Sequence, residues 1–483
     1  MLKLYPHETP SPRPKGDASN PFRHGGNKLF FVSLGCPRNR VDTEVMLGIL
    51  LKAGYEPTDT LEEADFLIVN TCGFLQAARE ESLETIGEMY ERKKKGAKVI
   101  VAGCMVQTHN EEIKAAFPKV DYLLGSGDVE NVLQAIQAPE QGSAITSAQS
   151  YLQGGEVPRQ VSTPSHYAYL KIAEGCKKRC AYCIIPKIKG PLKSKSLDQI
   201  VKEFRVLRAQ GAEEIILIAQ DLGDWGKDQG FKRSQGLIYV LETLLKEEGD
   251  FWLRLLYLYP DEITPELIQL IKSDSRICPY LDMPIQHVNN DMLKAMHRAT
   301  SKEAIIETLT LLRQEIPEIS IRTSLIVGFP GETEKQFEEL AHFLKAHPID
   351  NVGIFTYSNE EGAHAATLPN QVPENVKKRR QKKLAAIQQK VAHKLLKKQV
   401  GKTLEVIVEG YHEESPLLLK GRHRGQCPEI DGCVILNDST GVDAFGKRYL
   451  VTITDALDYD IVGHVADNSN IVHTADENFI TEV

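Results

Sequence analysis

Cys176, Cys180 and Cys183 are separated by three and then two residues in the stretch Glu174-Gly175-Cys176-Lys177-Lys178-Arg179-Cys180-Ala181-Tyr182-Cys183. Any fold of this chain must bring these thiols together, because the spacing suits three thiolates on three corners of one iron–sulfur cube. Such a set leaves the fourth iron without a protein ligand. The alternative is a zinc site lacking one donor, but zinc cysteines usually supply four ligands from two pairs. No second CxxC pair or nearby histidine completes one here. Nine cysteines, an odd number, exclude complete intramolecular disulfide pairing, and in a reducing compartment they read as metal ligands or buried thiols.

A length of 483 residues predicts two to four domains. No apolar run approaches a membrane span, and the start Met1-Leu2-Lys3-Leu4-Tyr5 has no apolar signal core, so a cytoplasmic location is expected. The net charge of −8 argues against a partner held mainly by phosphate contacts and suits a basic partner. Residues 1–26 read as a disordered tail. Over 27–138, β runs at 29–34, 66–69 and 99–102 alternate with helical stretches, the first starting at Asp42, which predicts an α/β domain with a parallel sheet. Each run stops at a cysteine: Cys36, Cys72 or Cys104. Any one alone reads as a buried small hydrophobe. Three at the same topological position, on the ligand-binding edge of an open α/β sheet, predict a second three-thiolate site.

Residues 139–165, rich in Pro, Gly and small polar residues, read as a linker. Over 166–396, six β runs (167–172, 214–219, 252–257, 280–283, 320–327, 352–357) separated by helical stretches predict a partial (β/α) barrel. Strand ends then carry Gln220, Tyr259, Gln286, His287 and the loop Gly328-Phe329-Pro330-Gly331-Glu332-Thr333, with Arg322 inside the fifth strand. His287 reads as a hydrogen-bonded structural histidine rather than a ligand or base. Arg322 needs an anion, either a cofactor carboxylate or an internal glutamate. Gln220 and Gln286 can serve an amino acid or ribose, or brace the barrel mouth. The basic segment 377–398, with Leu384, Ile387, Val391 and Leu395 on one face, reads as the wet side of an amphipathic helix, with an RNA contact as the alternative. Short alternating strands over 397–467 predict a small β barrel, and 468–483 a tail. Between Gly401 and Asn470 there are six Lys plus Arg against twelve Asp plus Glu. Such a module grips RNA poorly and suits a basic protein.

The cysteine spacing, with Tyr182 before the last cysteine, resembles the CxxxCxΦC signature of the radical S-adenosylmethionine (SAM) superfamily. The resemblance implies that SAM chelates the open iron through its amino and carboxylate groups and is reductively cleaved to a 5′-deoxyadenosyl radical. Ser33-Leu34-Gly35-Cys36-Pro37-Arg38-Asn39, Asn70-Thr71-Cys72-Gly73-Phe74 and Gly103-Cys104 are similar to the amino-terminal domain of the radical methylthiotransferases, and the last module resembles an OB-like TRAM domain. The wording, including Gly425-Gln426-Cys427-Pro428-Glu429-Ile430-Asp431-Gly432, is closest to the branch that modifies an aspartate of small-subunit ribosomal protein uS12. Two positions depart from the family: Lys189 and Lys195 stand where arginine is general, keeping charge but losing the planar fork.

The resemblance implies an enzyme adding a methylthio group to the aspartate β-carbon. Two 4Fe–4S clusters would face one shared cavity, on Cys176, Cys180 and Cys183 and on Cys36, Cys72 and Cys104, and two SAM would be used per turnover, one as radical source and one as methyl donor. It further implies cofactor binding by Tyr182, Gln220, Gln286 and Arg322, and no catalytic side chain beyond the cluster ligands. Its partners are uS12, free or on the ribosome, an electron donor such as flavodoxin or ferredoxin, and a sulfur donor; no membrane is involved. Two alternatives stand: methylthiolation of a hypermodified adenosine in tRNA, and a noncatalytic metal-binding factor on the ribosome.

Overall fold

The computed structural model describes residues 2–3, 26–146 and 158–466. Most of the expected tail 1–26, the centre of the expected linker 139–165 and all of 468–483 lie outside these residues. The chain divides into two compact units: Met1–Pro164 with Ala173–Lys178 and Ile184–Gln199, and Ser165–Ile172 with Arg179–Cys183 and Ile200–Val483.

The first unit is built on β1 (Leu2–Lys3), β2 (Lys28–Ser33), α1 (Pro37–Lys52), β3 (Glu56–Pro57), β4 (Phe66–Thr71), α2 (Gln76–Arg92), β5 (Lys98–Gly103), α3 (Cys104–Ala116), β6 (Tyr122–Gly125), α4 (Val132–Gln137) and β7 (Gly142–Ala144). β2, β4, β5, β6 and β7 pair in that order, all parallel, while β1 and β3 share the other edge of β2. The centres of β2, β4 and β5 are continuous apolar runs because both faces are covered. Leu29, Phe31, Ile68 and Ile100 pack on Met46 and Leu50 of α1 and Val132 and Ile136 of α4. Phe30, Val32, Leu67, Val69, Val99 and Val101 pack on Ile86 and Met89 of α2 and Val106 and Ile113 of α3.

Three expectations are corrected in this unit. α1 starts at Pro37, not Asp42: proline is preset for the first helical position, and the burial of Asn39, Asp42 and Glu44 hides the apolar period. Part of the expected linker belongs to the sheet. The small residues of β7 have no strand signal of their own, but they pair with β6 while Gln141 Nε2 donates to Val120 O at 2.8 Å. Farther along, Arg159 Nη2 and Ser162 N reach Glu44 at 2.6 and 2.8 Å. The tail is also partly structured, since Leu2 and Lys3 pair antiparallel with Ser33 and Val32.

β8 (Tyr167–Lys171) opens the second unit. The chain then returns to the first through β9 (Ala173–Glu174), α5 (Ile185–Lys189) and β10 (Lys193–Ser194), with β9 and β10 antiparallel. From α6 (Leu197–Ala209) onward it alternates through β11 (Glu214–Ile218), α7 (Gln235–Leu244), β12 (Trp252–Leu255), α8 (Pro265–Ser273), β13 (Ile277–Asp282), α9 (Asn290–Ala295), α10 (Lys302–Glu315), β14 (Ser320–Val327), α11 (Glu334–Ala346) and β15 (Asn351–Thr356). The sheet order β8-β11-β12-β13-β14-β15 is the order of the sequence and every pair is parallel, as a partial (β/α) barrel requires.

α12 (Glu374–Leu396) then leads to β16 (Thr403–His412), β17 (Ser415–His423), β18 (Val434–Asp438), β19 (Lys447–Ala456) and β20 (Ile461–Val465), which close into a barrel around Val406, Val408, Leu419, Leu436, Val451 and Ile453. Part of the basic run on α12 is not wet. Lys377 Nζ donates to Tyr357 O at 2.8 Å, and buried Arg380 pairs with Glu332 at 2.8 Å. The loop between β17 and β18 meets the amino-proximal half of the partial barrel, away from the cysteine loop. Tyr280 Oη donates to Asp431 Oδ2 at 2.7 Å, Tyr167 Oη to Glu429 Oε1 at 3.0 Å, and Arg422 pairs with Glu214. Among the described residues no helix is long and apolar enough to cross a membrane.

Candidate iron–sulfur and cofactor sites

In the first unit, Cys72 and Cys104 follow directly on β4 and β5, and Cys36 is separated from the end of the adjacent strand β2 by Leu34 and Gly35. Cys36 is the residue before α1 and Cys104 is the first of α3, so both sit at helix amino ends, where the helix dipole favours a thiolate. Gly35 has φ +90°, and a Cβ there would lie 2.9 Å from Cys72 Cβ, so only glycine lets the first two loops approach. Gly103 answers the same demand between β5 and Cys104: its φ is +100°, and a Cβ would strike Asn70 Oδ1 and Thr71 O.

Buried Asn39 pins these strand ends. Its Nδ2 donates to Leu34 O at 2.7 Å and Thr71 O at 3.2 Å, and Cys104 Sγ stands 3.8 Å from its Oδ1. Asn70 Nδ2 returns a bond to Asn39 O at 2.8 Å. Lys189, at the end of α5, is buried with Nζ 3.0 Å from Asp42 Oδ2 and 3.6 Å from Glu174 Oε2. Burial pushes the Cys36 thiol up, but the Arg38 guanidinium, the Asn39 N–H and the Lys189 ammonium bring it below the usual thiol range. Burial raises the Cys72 thiol, and it pushes Cys104 up to about 12 against the pull of Lys189. Three sulfurs beside a buried ammonium and a half-buried guanidinium could serve as the donor set of an anionic cluster.

The Cys176–Cys183 loop follows β8. In the first unit, Cys176 N donates to Gly190 O at 3.2 Å and Cys176 Sγ accepts from Lys178 N at 3.4 Å. In the second, Cys183 N donates to Cys180 O, and Ala181 N to Met296 O just past α9. Cys180 Sγ is 3.3 Å from Tyr259 Oη and 3.9 Å from Arg298 Nη1. Tyr182 packs on Ala181, Met292, Met296, Phe329 and Tyr357, and burial carries its phenol well above the usual range, opposed by Arg298.

Gln220 follows β11 and is half-buried. Gln286 is half-buried too, with φ +68°, its N–H donating to Ser324 O and its C=O accepting from Ile326 N, so the backbone aims this residue from the carboxyl end of the sheet. The expectation of a cofactor contact for Arg322 is corrected: its guanidinium lies 3.4 Å from Asp431 Oδ1 and 3.8 Å from Asp282 Oδ1, so internal carboxylates meet its charge. His287 has the structural role anticipated for it. Its Nδ1 accepts from Val288 N and Asn289 N at 2.9 Å, which assigns the proton to Nε2, 3.2 Å from Glu332 Oε1. Glu332 also takes Arg380 and the Gly328 N–H, and so locks the Gly328–Thr333 loop.

Sequence reasoning missed Asn39, Lys189 and Arg298 as members of these sites. The cue for Asn39 and Lys189 was their place within two or three residues of a cysteine loop or a family motif. Arg298, 118 residues from Cys180, had no cue. None of the nine cysteines is joined in a disulfide. Among the described residues the only three ligand atoms within 4.8 Å of one another belong to Asp221, Asp224 and Glu262, where Lys227 Nζ, 2.7 Å from Asp224 and bonded to Glu262, supplies the positive charge. The Cys36, Cys72 and Cys104 sulfurs are thus set wider than the ~3.8 Å that three 2.3 Å bonds to a tetrahedral zinc ion require. A trio of this kind could hold the larger iron–sulfur cube.

Three family models match the chain: Uncharacterized protein family UPF0004 over residues 28–125, the Radical SAM superfamily over 170–344 and the TRAM domain over 400–466. In fold, the chain is similar to the radical SAM methyltransferase TsrM from Kitasatospora setae, with a TM-score of 0.51 at 14% identity over 68% of this chain and 72% of that one. Sheet order, cysteine pattern and family match define a radical SAM enzyme, a class that implies a 4Fe–4S cluster and SAM. The chain is 64% identical over 450 residues to the ribosomal protein uS12 methylthiotransferase RimO of Protochlamydia amoebophila, covering 93% of this chain and 95% of that protein. Proteins of the same name from Chlamydia caviae and Bdellovibrio bacteriovorus are 56% and 44% identical, each over 91% of this chain and 95% and 97% of their own lengths. The chain belongs to the RimO family of radical SAM methylthiotransferases.

Proposed function

We propose that this enzyme methylthiolates the β-carbon of an aspartate in small-subunit ribosomal protein uS12, using two 4Fe–4S clusters and two SAM per turnover. The observation that carries the two-cluster reading is the convergence of Cys36, Cys72 and Cys104 at the ends of three adjacent strands. The names of the relatives and the acidic closing barrel support the basic ribosomal protein as substrate.

When bound, the two clusters with SAM supply hydrogen-atom abstraction from an unactivated carbon and a sulfur for insertion, chemistry outside the reach of a general base in water. The residues have narrower tasks. Cys176, Cys180 and Cys183 hold the cluster that binds SAM, while Tyr182, Gln220 and Gln286 orient the cofactor. Cys36, Cys72 and Cys104 hold the second cluster; Asn39 fixes their loops, and Arg38 and Lys189 offset thiolate charge. An external one-electron donor, such as flavodoxin or ferredoxin, and a sulfur donor complete the reaction.

The test is mass spectrometry of uS12 and of tRNA nucleosides from a deletion strain. The expected result is loss of the methylthio mass from uS12 with tRNA unchanged. Loss of a tRNA methylthio nucleoside with uS12 unchanged would overturn the substrate and favour the tRNA-modifying branch.

A further inference from the structure

Arg298 is a buried cation, 7% exposed, whose charge no carboxylate among the described residues balances. Its guanidinium lies 3.8 Å from the Tyr259 ring centroid, and its Nη2 donates to Pro284 O at 2.6 Å. Its Nη1 is 3.9 Å from Cys180 Sγ, the same sulfur that Tyr259 Oη approaches to 3.3 Å. A buried guanidinium without an anion is costly, so its partner must be the nearest group able to carry negative charge. Burial carries the adjacent Tyr182 and Tyr259 phenols well above their usual range and so keeps them neutral, which leaves the Cys180 sulfur.

The backbone makes the placement firm. α9 ends in a Schellman turn: Arg298 N donates to Leu293 O at 2.8 Å and His297 N to Lys294 O at 3.0 Å, with His297 in the left-handed region at φ 55°. The same turn grips the cysteine loop, through Ala181 N to Met296 O at 3.0 Å and through His297 Nδ1, 3.2 Å from Arg179 O. Sulfur and guanidinium are therefore carried by one hydrogen-bonded unit.

We infer that Arg298 and Tyr259 position the Cys180 sulfur and set how readily the cluster on Cys176, Cys180 and Cys183 accepts one electron. The inference rests on reading those cysteines as cluster ligands. Reduction adds one negative charge to a cluster and its thiolates, and a fixed cation and a hydroxyl donor at one ligand sulfur stabilise the reduced form more than the oxidised form. The electron comes from an external one-electron donor, and no covalent bond to Arg298 or Tyr259 forms or breaks. Arg298 acts through Cys180 and is a positioning residue, not a catalytic one.

The test is an EPR-monitored dithionite titration of the full-length, anaerobically reconstituted protein, following the signal that changes when SAM is added. R298Q should keep the parent's iron content and make reduction at least tenfold less favourable, a shift of ~59 mV to more negative potential for a one-electron couple. R298K, which keeps charge without the stacked plane, should fall between, and Y259F should shift less in the same direction. R298Q and Y259F with normal iron and the parent's potential would overturn the inference. If R298Q does not hold iron, Y259F decides, and a potential equal to the parent's overturns it. A parent without a reducible cluster would overturn both this inference and the reading beneath it. Shifted potentials in an enzyme that leaves uS12 unmodified would count against the proposed substrate alone.

Discussion

Arg422 of the closing barrel reaches Glu214, the first residue of β11, at 2.8 Å with the two side chains 3% and 0% exposed. Glu214 also takes Arg254, and Arg422 also takes Glu409 at 2.6 Å. Despite the pull of burial, the two arginines hold the Glu214 carboxyl below its usual range. Removing that one carboxylate strands the buried Arg254 guanidinium and leaves Arg422 with Glu409 alone. Glu214→Gln should therefore cost about 3–5 kcal/mol of stability, in the range for breaking a buried ion pair. Urea unfolding measures it, and the combined Glu214→Leu and Arg422→Met change should recover part of the loss. A cost below ~1 kcal/mol would mean that solvent reaches this junction.

A second carboxylate in this unit makes a pH prediction. Burial pushes Asp282 up to about 6, against the opposing effects of Arg322 and the Tyr257 N–H. An unfolded aspartate titrates near 3.9, so between about pH 4 and 6 the folded chain holds a proton that the unfolded chain releases. The stability due to this group is complete below about pH 4, falls as pH rises to about 6 and is level above. The loss is on the order of 2–3 kcal/mol. Asp282→Asn removes the charge and keeps an acceptor for Tyr257 N. The variant should exceed the parent in stability at pH 7.5, and the excess should shrink at pH 4.5. An equal difference at both values would show that Asp282 is ionised throughout.

Both parallel sheets, and the place of Cys36, Cys72 and Cys104 just past the ends of adjacent strands, were legible in the sequence because each rests on a local signal: an apolar run, a following glycine, a cysteine. What was hidden depends on partners distant in the chain. β7 is strand only because β6 is beside it. Arg322 lies in an apolar run and reads equally as a cofactor hook or as half of an internal pair, and only Asp431, 109 residues later, meets its charge. Lys377 and Arg380 look like the wet face of α12, and only Tyr357 and Glu332 turn them inward. The junction of the partial and closing barrels rests on pairs such as Arg422–Glu214 and Tyr280–Asp431, which apolar periodicity cannot announce.

Asn39 connects strand ends to cysteines, and its loss should be read at the metal. Asn39→Ala leaves Leu34 O and Thr71 O without their buried donor, at about 1–3 kcal/mol for an unsatisfied group. The sheet core on either face is untouched, so the fold should survive while the loops carrying Cys36, Cys72 and Cys104 loosen. After anaerobic reconstitution the parent should hold about eight irons per chain, two cubes of four. The variant should hold closer to four, with cleavage of SAM retained. Iron and acid-labile sulfide analysis checks this, and a variant with the parent's iron content would show that Asn39 only stabilises the strands.

The last prediction separates the two trios by what each loss leaves working. Cys72 lies beside Gly35 in the sheet of the first unit, while Cys176 belongs to the loop after the first strand of the partial barrel. Cys72→Ala removes a ligand from the second trio without touching any residue assigned to SAM. It should still release 5′-deoxyadenosine at a rate within about threefold of the parent, but put no methylthio group on uS12. Cys176→Ala should stop 5′-deoxyadenosine release altogether, by more than about 10³-fold, because a cubane bound by two thiolates is neither held nor poised for reduction. Liquid chromatography of the nucleoside product and the intact mass of uS12 read the two steps in one incubation. If Cys72→Ala still adds the full methylthio mass, sulfur does not pass through the first unit. If it loses cleavage as well, the trios form one redox unit and the division of labour fails.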